Sequence, residues 1–192
     1  MIAIIKYNAG NSTSVKNALD RLGFPSIITD DIEQIKNASK VIFPGVGEAS
    51  SAMKFLKMKK LDQLIPTLKQ PFLGICLGQQ LMCAFSEEGN TECLGIFDVQ
   101  VKKFPPLDLV PQMGWNQLFD TKSALFQDLR PEDNVYFVHS YYCELSVFTT
   151  AVCDYILPFS AAMQKDNFYA TQFHPEKSAA VGEKILLNFL QK

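Results

Sequence analysis

The sequence predicts an α/β protein built on an open, doubly wound, mostly parallel sheet with an added antiparallel section. Short apolar runs alternate with helical segments in the first half, a rhythm typical of parallel strands covered by helices on both faces. Strand-like runs with little helix between them fill most of the second half, which favours antiparallel pairing. With 192 residues, 47% of them hydrophobic, the chain can bury one sizeable core, so we expect a single domain over residues 1–192.

The first half contains four predicted strands, each followed by a helix. Apolar β-rich runs bounded by turn residues predict the strands, and apolar residues at helical spacing predict the helices. Gly23 is placed to end the first helix and Asp31 to cap the second. The predicted strands cover residues 2–7, 25–29, 40–45 and 71–75, and the predicted helices cover residues 14–23, 31–39, 51–65 and 77–85.

The second half is mostly strand-like until its last segment. The strand-like runs lie at residues 95–104, 114–119, 134–145, 149–156 and 168–174. Residues 179–192 return to an amphipathic helical pattern. We therefore expect antiparallel strands added to the same core, with a helix closing the chain.

Composition excludes several classes of function. The net charge of −2 and the absence of long basic runs argue against nucleic-acid binding. No apolar stretch approaches the ~20 residues of a membrane span, and the first apolar run is too short for a signal peptide, so we expect a cytoplasmic protein. Five cysteines without a CxxC spacing and two histidines favour neither a disulfide framework nor a metal site, and we expect no metal and no cofactor.

A cysteine between two glycines, in the sequence "GICLG", follows the fourth predicted strand. The spacing G-x-C-x-G copies the nucleophile elbow, a sharp strand-to-helix turn that needs small neighbours. A thiol at a helix N-terminus can lose its proton more easily, and the N–H of Leu77 could donate to an oxyanion. Cys76 is therefore a candidate nucleophile at the carboxyl edge of the sheet, although a buried cysteine flanked by packing glycines explains the same pattern.

A second motif, "QFHPEK", supplies a possible base for this nucleophile. On an extended backbone residues i and i+2 point to one side, so His174 and Glu176 should face the same direction, and Pro175 keeps His174 out of the helical region. Glu176 could then orient the imidazole while His174 moves the proton. A His-x-Glu alone usually means a surface pair, but combined with the cysteine elbow it indicates a Cys-His-Glu triad.

The glycines of "FPGVGEA", after the third predicted strand, free the orientation of the peptides there. A backbone N–H near Val46 could form the second half of an oxyanion hole. An ordinary turn at the end of a strand would explain the same glycines. A dinucleotide fingerprint is excluded because the third glycine is missing and the motif does not follow the first strand.

Together, "PGVG", "GICLGQQLM" and "TQFHPEKS" resemble the class I glutamine amidotransferases over nearly the whole chain, with Cys76, His174 and Glu176 at the triad positions. Within that class, "PQMGWNQL" (111–118) and "VYFVHSYY" (135–142) are similar to the glutaminase subunits of imidazole glycerol phosphate synthases. The resemblance implies hydrolysis of glutamine through a γ-glutamyl thioester. It also implies transfer of the ammonia to a (β/α)8-barrel cyclase/synthase subunit in a heterodimer of the histidine pathway.

The same resemblance implies two further sets of residues. Positions that hold glutamine or form the reorienting turn beside it match Gly45, Val46, Gly47, Gln80, Ser140 and Tyr141. The face that meets the barrel matches Asn11, Met113, Trp115, Asn116, Tyr136 and Lys177. Each of the latter also has a plain structural interpretation, such as Asn11 capping the first helix. The first loop departs from the common family pattern at Lys6, Asn8 and Ala9.

Three alternatives remain open. The chain could be a glutaminase for another acceptor, such as that of pyridoxal phosphate synthase, which fits "GWN" and "FVHSY" poorly. It could be a cysteine peptidase or stress-response protein on a similar scaffold, acting without a partner. It could also be a binding module in which Cys76 is inert.

Overall fold

A computed structural model describes residues 1–8 and 10–192, so Ala9 of the first loop lies outside the described residues. The strands are β1 (Ile2–Ile5), β2 (Ser26–Thr29), β3 (Lys40–Gly45), β4 (Phe72–Cys76), β5 (Phe85–Ser86), β6 (Thr91–Glu92), β7 (Gln100–Lys103), β8 (Gln112–Gln117), β9 (Asn134–His139), β10 (Tyr141–Cys143), β11 (Thr149–Asp154), β12 (Pro158–Lys165) and β13 (Phe168–Thr171). The helices are α1 (Ser12–Arg21), α2 (Ile32–Lys36), α3 (Ala49–Met58), α4 (Leu61–Leu64), α5 (Leu77–Leu81) and α6 (Ala179–Leu190). Within these described ranges, no helix has both the length and the apolar character needed to cross a bilayer.

The central sheet has seven strands in the order β11-β12-β13-β4-β3-β1-β2. The five strands from β13 to β2 run parallel, and β12 and β11 continue the sheet in antiparallel pairing. A four-stranded sheet, β10-β7-β5-β6, and a two-stranded antiparallel ribbon, β8–β9, complete the strands. The predicted class, a mostly parallel α/β sheet with an antiparallel section, is confirmed.

Strands β1, β3 and β4 are almost continuously apolar because they are buried on both faces, whereas β2 is a half-buried edge strand. Ala3 and Ile5 of β1 pack in one cluster with α3 and α5, whereas Ile2 and Ile4 pack in a second cluster with α1 and α6. A strand with two buried faces needs an apolar side chain at every position. This arrangement explains why β1, β3 and β4 could be predicted directly from the sequence.

Several predicted elements differ in extent. The helix expected at 51–65 is divided, since Lys60 has a left-handed backbone (φ 58°) between α3 and α4. The run at 134–145 is divided at Ser140 into β9 and β10, and the run at 95–104 is a strand only over Gln100–Lys103. Strand β12 was not predicted; Phe159–Met163 are all buried, and this stretch lacks the polar alternation that marks a strand with one solvent face.

The topology brings three chain segments to one edge of the sheet. Gly45 at the end of β3 lies beside Cys76 at the end of β4, and Ile75 lies beside Thr171 of β13. Because these neighbouring strands are parallel, the segments that follow them leave the sheet at the same edge. The three sequence motifs that carry candidate chemistry therefore meet there.

Candidate active site

Cys76 occupies the turn between β4 and α5 with φ 54° and ψ −108°. A left-handed backbone is unusual for a residue with a side chain, and such strain is concentrated at functional sites. Helix α5 begins at the next residue, Leu77, so its first backbone N–H groups lack intrahelical partners. Cys76 is 6% exposed, which leaves its side chain barely open to solvent.

The two flanking glycines are required by close packing. A Cβ at Gly78 would lie 1.9 Å from the carbonyl oxygen of Phe43, and a Cβ at Gly74 would lie 2.4 Å from Met82 Sδ. The contact at Gly78 is with backbone, which cannot move aside, whereas Met82 is flexible and the backbone nearest to a Cβ at Gly74 is that of Gly78 at 3.0 Å. The elbow glycines thus allow α5 to lie against β3 and β4, which fixes where the cysteine is held.

His174 follows β13 and is anchored by its own backbone. Its N–H donates to Tyr136 O at 2.9 Å, and its carbonyl accepts from Ser178 Oγ at 2.7 Å. Its Nδ1 lies 2.7 Å from Glu176 Oε1, and both side chains are fully buried. The backbone route differs from the prediction: Pro175–Lys177 form a 3₁₀ turn, so the turn, rather than an extended strand, brings Glu176 under the imidazole.

Burial and two neighbouring side chains, those of Cys76 and Glu176, have opposite effects on the pKa of His174. Burial by itself lowers the pKa of His174, but the neighbouring Cys76 sulfur and Glu176 carboxylate raise the pKa to about 10. With Nδ1 committed to Glu176, the nitrogen left for Cys76 is Nε2, which makes no regular hydrogen bond to the described residues. The arrangement favours a protonated imidazole beside Cys76.

A cavity of about 170 Å³ opens at Cys76. Its lining includes most of the predicted site, namely Val46, Gly47, Cys76, Leu77, Gln80, Ser140 and Tyr141. Gly45 lies behind this lining at the end of β3, where a Cβ would approach Tyr7 Oη within 1.8 Å. Candidate nucleophile, oxyanion donors and substrate positions thus surround one small space.

Sequence reasoning missed three polar residues at this cavity. Glu88 lines it, and its Oε2 accepts from Ala49 N at 2.8 Å, while burial raises the pKa of its carboxyl group. Gln172 Nε2 donates to Cys76 Sγ at 3.6 Å, although Gln172 lies inside a motif that the sequence had already singled out. His139, which the sequence did not place at the site, also lines the cavity.

Gln80 is bonded within the protein. Its Nε2 donates to Tyr141 O at 2.9 Å and to Gln172 Oε1 at 3.0 Å, which uses both of its N–H groups. His139 Nδ1 lies 2.7 Å from the same Tyr141 carbonyl and must donate to it. Burial lowers the pKa of His139 to about 4, so its ring is neutral near pH 7. The two side chains brace the turn at Ser140 and Tyr141.

The turn after β3 is held on both sides. Gly10 N donates to Val46 O at 3.1 Å, which ties the turn to the first loop. On the other side, Glu48 caps α3 by accepting from the N–H groups of Ser50 and Ser51. Val46 itself is 38% exposed at the mouth of the cavity.

The residues predicted to face a partner do not all lie together. Met113 and Trp115 are exposed on the β8–β9 ribbon, where Trp115 meets Tyr136 edge-on with ring centroids 5.8 Å apart. Lys177 is exposed in the 3₁₀ turn. Asn116 falls on the opposite face of β8 from Trp115, and its Oδ1 accepts from the buried Gln112 at 2.9 Å. Asn116 therefore does not share the exposed face of Trp115, and its contact with a partner stays a prediction.

Asn11 does not cap α1, the plain structural interpretation of this residue, while its place on the synthase face stays a prediction. Its side chain makes no capping bond to α1 and instead donates to Glu176 Oε1, with its Nδ2 3.4 Å from His174 Nδ1.

Among the described residues, no group of three or more His, Cys, Asp or Glu side chains is placed to bind a metal.

A parallel α/β sheet with a cysteine elbow, a buried His-Glu pair and a small polar cavity defines a thiol enzyme of the amidotransferase type. The family model described as "Glutamine amidotransferase class-I" matches residues 3–192, and the chain belongs to this family. Narrower likeness comes from individual relatives. An imidazole glycerol phosphate synthase subunit HisH from Bacteroides fragilis (strain YCH46) is 60% identical over 193 residues, covering 99% of this chain and 98% of that protein.

Other relatives extend the comparison. A subunit of the same name from Bacteroides thetaiotaomicron is 58% identical over 192 residues, covering 98% of each chain. Among solved structures, a glutamine amidotransferase superposes with a TM-score of 0.75 at 16% identity, covering 100% of this chain and 98% of that one. At that identity the superposition supports the fold alone.

Proposed function

We propose that the chain, acting as one domain over residues 1–192, is the glutaminase subunit of an imidazole glycerol phosphate synthase. It hydrolyses glutamine to glutamate and ammonia and supplies the ammonia to a cyclase/synthase subunit. One observation carries the chemistry: a buried His174, oriented by Glu176, lies near enough to Cys76 for the cysteine to raise its pKa, and Cys76 is on a strained elbow at a small cavity. The relatives at 58–60% identity support the choice of acceptor.

In this reaction the Cys76 sulfur attacks the side-chain carboxamide carbon of glutamine. The oxyanion is stabilised by the N–H of Leu77 and a peptide N–H of the turn at Val46. His174 gives its proton to the amide nitrogen, the C–N bond breaks, and ammonia leaves a γ-glutamyl thioester. His174 then takes a proton from water, whose oxygen attacks the thioester carbon, and glutamate leaves as Cys76 is restored.

Recognition of glutamine rests on its other end. Glu88 is the acidic side chain of the cavity lining, and we assign it to the α-ammonium group of glutamine. The turn at Ser140 and Tyr141, braced by Gln80 and His139, would position the substrate through its backbone and the Ser140 hydroxyl. With both N–H groups of Gln80 used, its Oε1 is the atom of that side chain that can meet the ligand.

The partner in this proposal is a (β/α)8-barrel cyclase/synthase subunit bound as a heterodimer. Its docking face would include Met113, Trp115, Tyr136 and Lys177, at the end of the molecule that carries His174. The turn at Gly45 and Val46 would reorient on docking and complete the oxyanion hole. The five cysteines are free thiols and the reaction needs a reduced Cys76, so we assign the protein to the cytoplasm.

The proposal is tested by mixing the chain with its candidate synthase subunit and following glutamate and imidazole product together. Glutamine hydrolysis should be low in the chain alone and rise with the partner. Cys76→Ser should abolish it, whereas Cys93→Ser, a half-buried thiol outside the cavity, should retain it. Ammonia transfer only to a different acceptor, or no glutamate at all, would reject the assignment.

A further inference from the structure

Asn11 is in an unusual conformation for a residue that precedes a helix. It has φ 81° and ψ 0° at the N-cap of α1, and its side chain makes no cap hydrogen bond. Asparagine at this position normally accepts from the second or third helical N–H, and the missing bond leaves a helix donor without that partner. Asparagine also tolerates the left-handed backbone better than most residues. The side chain is therefore directed to another contact.

That contact is with the buried carboxylate of Glu176. Asn11 Nδ2 donates to Glu176 Oε1, the same oxygen that lies 2.7 Å from His174 Nδ1. The side chains of His174 and Glu176 are fully buried, while Asn11 is half-buried. Glu176 Oε2 has no hydrogen-bond partner among the described residues, so the two donors on Oε1 are the carboxylate's contacts.

We propose that Asn11 is a positioning residue of the glutaminase reaction, which holds the Glu176 carboxylate against His174 from the first loop of the chain. A buried carboxylate with one donor can rotate about its last torsion, whereas a second donor on the same oxygen limits that rotation. The orientation of Glu176 sets the orientation of the imidazole, and with it the approach of Nε2 to Cys76. The proposal rests on the proposed function, because it assigns a role within that triad.

The same contact connects the triad to the first loop. Gly10, the residue before Asn11, donates to Val46 O in the candidate oxyanion turn. Adjacent residues of one loop thus contact both the His174–Glu176 pair and the candidate oxyanion turn. Family resemblance placed Asn11 on the synthase face, and the structure gives it a contact with the catalytic pair in the free subunit.

Two variants separate this role from a contact with the partner. Asn11→Gly removes the side chain while keeping a residue that accepts φ 81°. Asn11→Asp keeps the size and replaces the donor by a second carboxylate facing Glu176. We expect both to slow Cys76 alkylation by 6-diazo-5-oxo-L-norleucine in the purified full chain by about 10- to 100-fold, since a hydrogen bond to a charged group is lost.

In the complex with the synthase subunit, both variants should lower kcat for glutamine while KM stays within about twofold, because the residue does not touch substrate. Asp166→Gly is the matched control: it replaces a left-handed, exposed residue (φ 51°) in the β12–β13 turn and should leave both readouts unchanged. If Asn11→Gly misfolds, the isosteric Asn11→Asp still decides the outcome.

The proposal is overturned if Cys76 labelling in both variants stays within about twofold of the parent rate while synthase binding weakens, which would make Asn11 a partner contact only. Failure of the proposed function gives a different result, since the parent chain itself would then not be labelled at Cys76.

Discussion

At the residue scale, the candidate site depends on one competition at His174. Burial disfavours the imidazolium, and the negative charges of Cys76 and Glu176 outweigh it, which gives a pKa of about 10. A protonated His174 can deliver a proton to the departing ammonia at neutral pH. The Glu176 carboxylate therefore sets the orientation of the base and, together with Cys76, its charge state.

Glu176→Gln tests this competition. The substitution removes one of the two negative charges, so the pKa of His174 should fall below its value of about 10. The sign follows because losing an anion destabilises the protonated form. We expect the alkaline limb of the kcat profile to move to lower pH and kcat at neutral pH to drop by about 10²- to 10⁴-fold. A pH series of glutamate release in the complex measures both, and an unmoved limb would contradict the role of Glu176.

At the element scale, the glycines of the elbow serve the packing of α5 against the sheet as well as the chemistry of Cys76. Helix α5 lies so close to β3 that the Gly78 position has no room for a Cβ beside Phe43 O. The helix in turn carries Leu77 and Gln80 into the cavity lining. A shift of α5 would therefore move an oxyanion donor and the brace of the Tyr141 turn together.

Gly78→Ala should expose this dependence. The new Cβ meets backbone at 1.9 Å, so α5 must shift, and we expect a loss of about 1–3 kcal/mol of folding free energy together with a large loss of glutaminase activity. For a chain of this length the melting temperature falls by roughly 2–4 °C per kcal/mol. Gly23→Ala is the control, since its Cβ meets nothing within 4 Å. Its left-handed backbone should cost some stability but no activity, and equal activity in the two variants would be the contrary result.

The comparison of elements shows what the sequence could predict. Strands β1, β3 and β4 were predicted because burial on both faces makes them continuously apolar, and the edge strand β2 was predicted from its short β-rich run between turn residues. The three motifs were located because their residue types are rare together. Strand β12 was missed because its buried residues, several of them small, show neither the alternation of a strand nor the spacing of a helix. The roles of Gln172, Glu88 and Asn11 depend on contacts with residues 39 to 165 positions away, and local spacing carries no information on such pairs.

At the scale of the whole molecule, the ribbon β8–β9 is joined directly to the candidate base. Tyr136 of β9 accepts from the His174 N–H at 2.9 Å, and the Tyr136 N–H donates to Ser178 Oγ at 2.9 Å. Trp115 of β8 stands edge-on against the Tyr136 ring. A partner that binds the exposed face of the ribbon would therefore press on the strand to which the backbone of His174 is bonded.

Trp115→Ala is the sharpest test of this arrangement. Trp115 is 52% exposed, and a large aromatic side chain on an interface is a typical hot spot, so we expect synthase affinity to fall by about 2 kcal/mol or more, roughly 30-fold. Cys76 labelling in the chain alone should stay within about twofold, because Trp115 is not one of the residues that line the cavity. Val147→Ala removes another exposed apolar side chain, 94% exposed in the β10–β11 loop, and should leave affinity unchanged. Titration calorimetry against the synthase subunit measures both, and equal affinity for Trp115→Ala and the parent chain would exclude the ribbon from the interface.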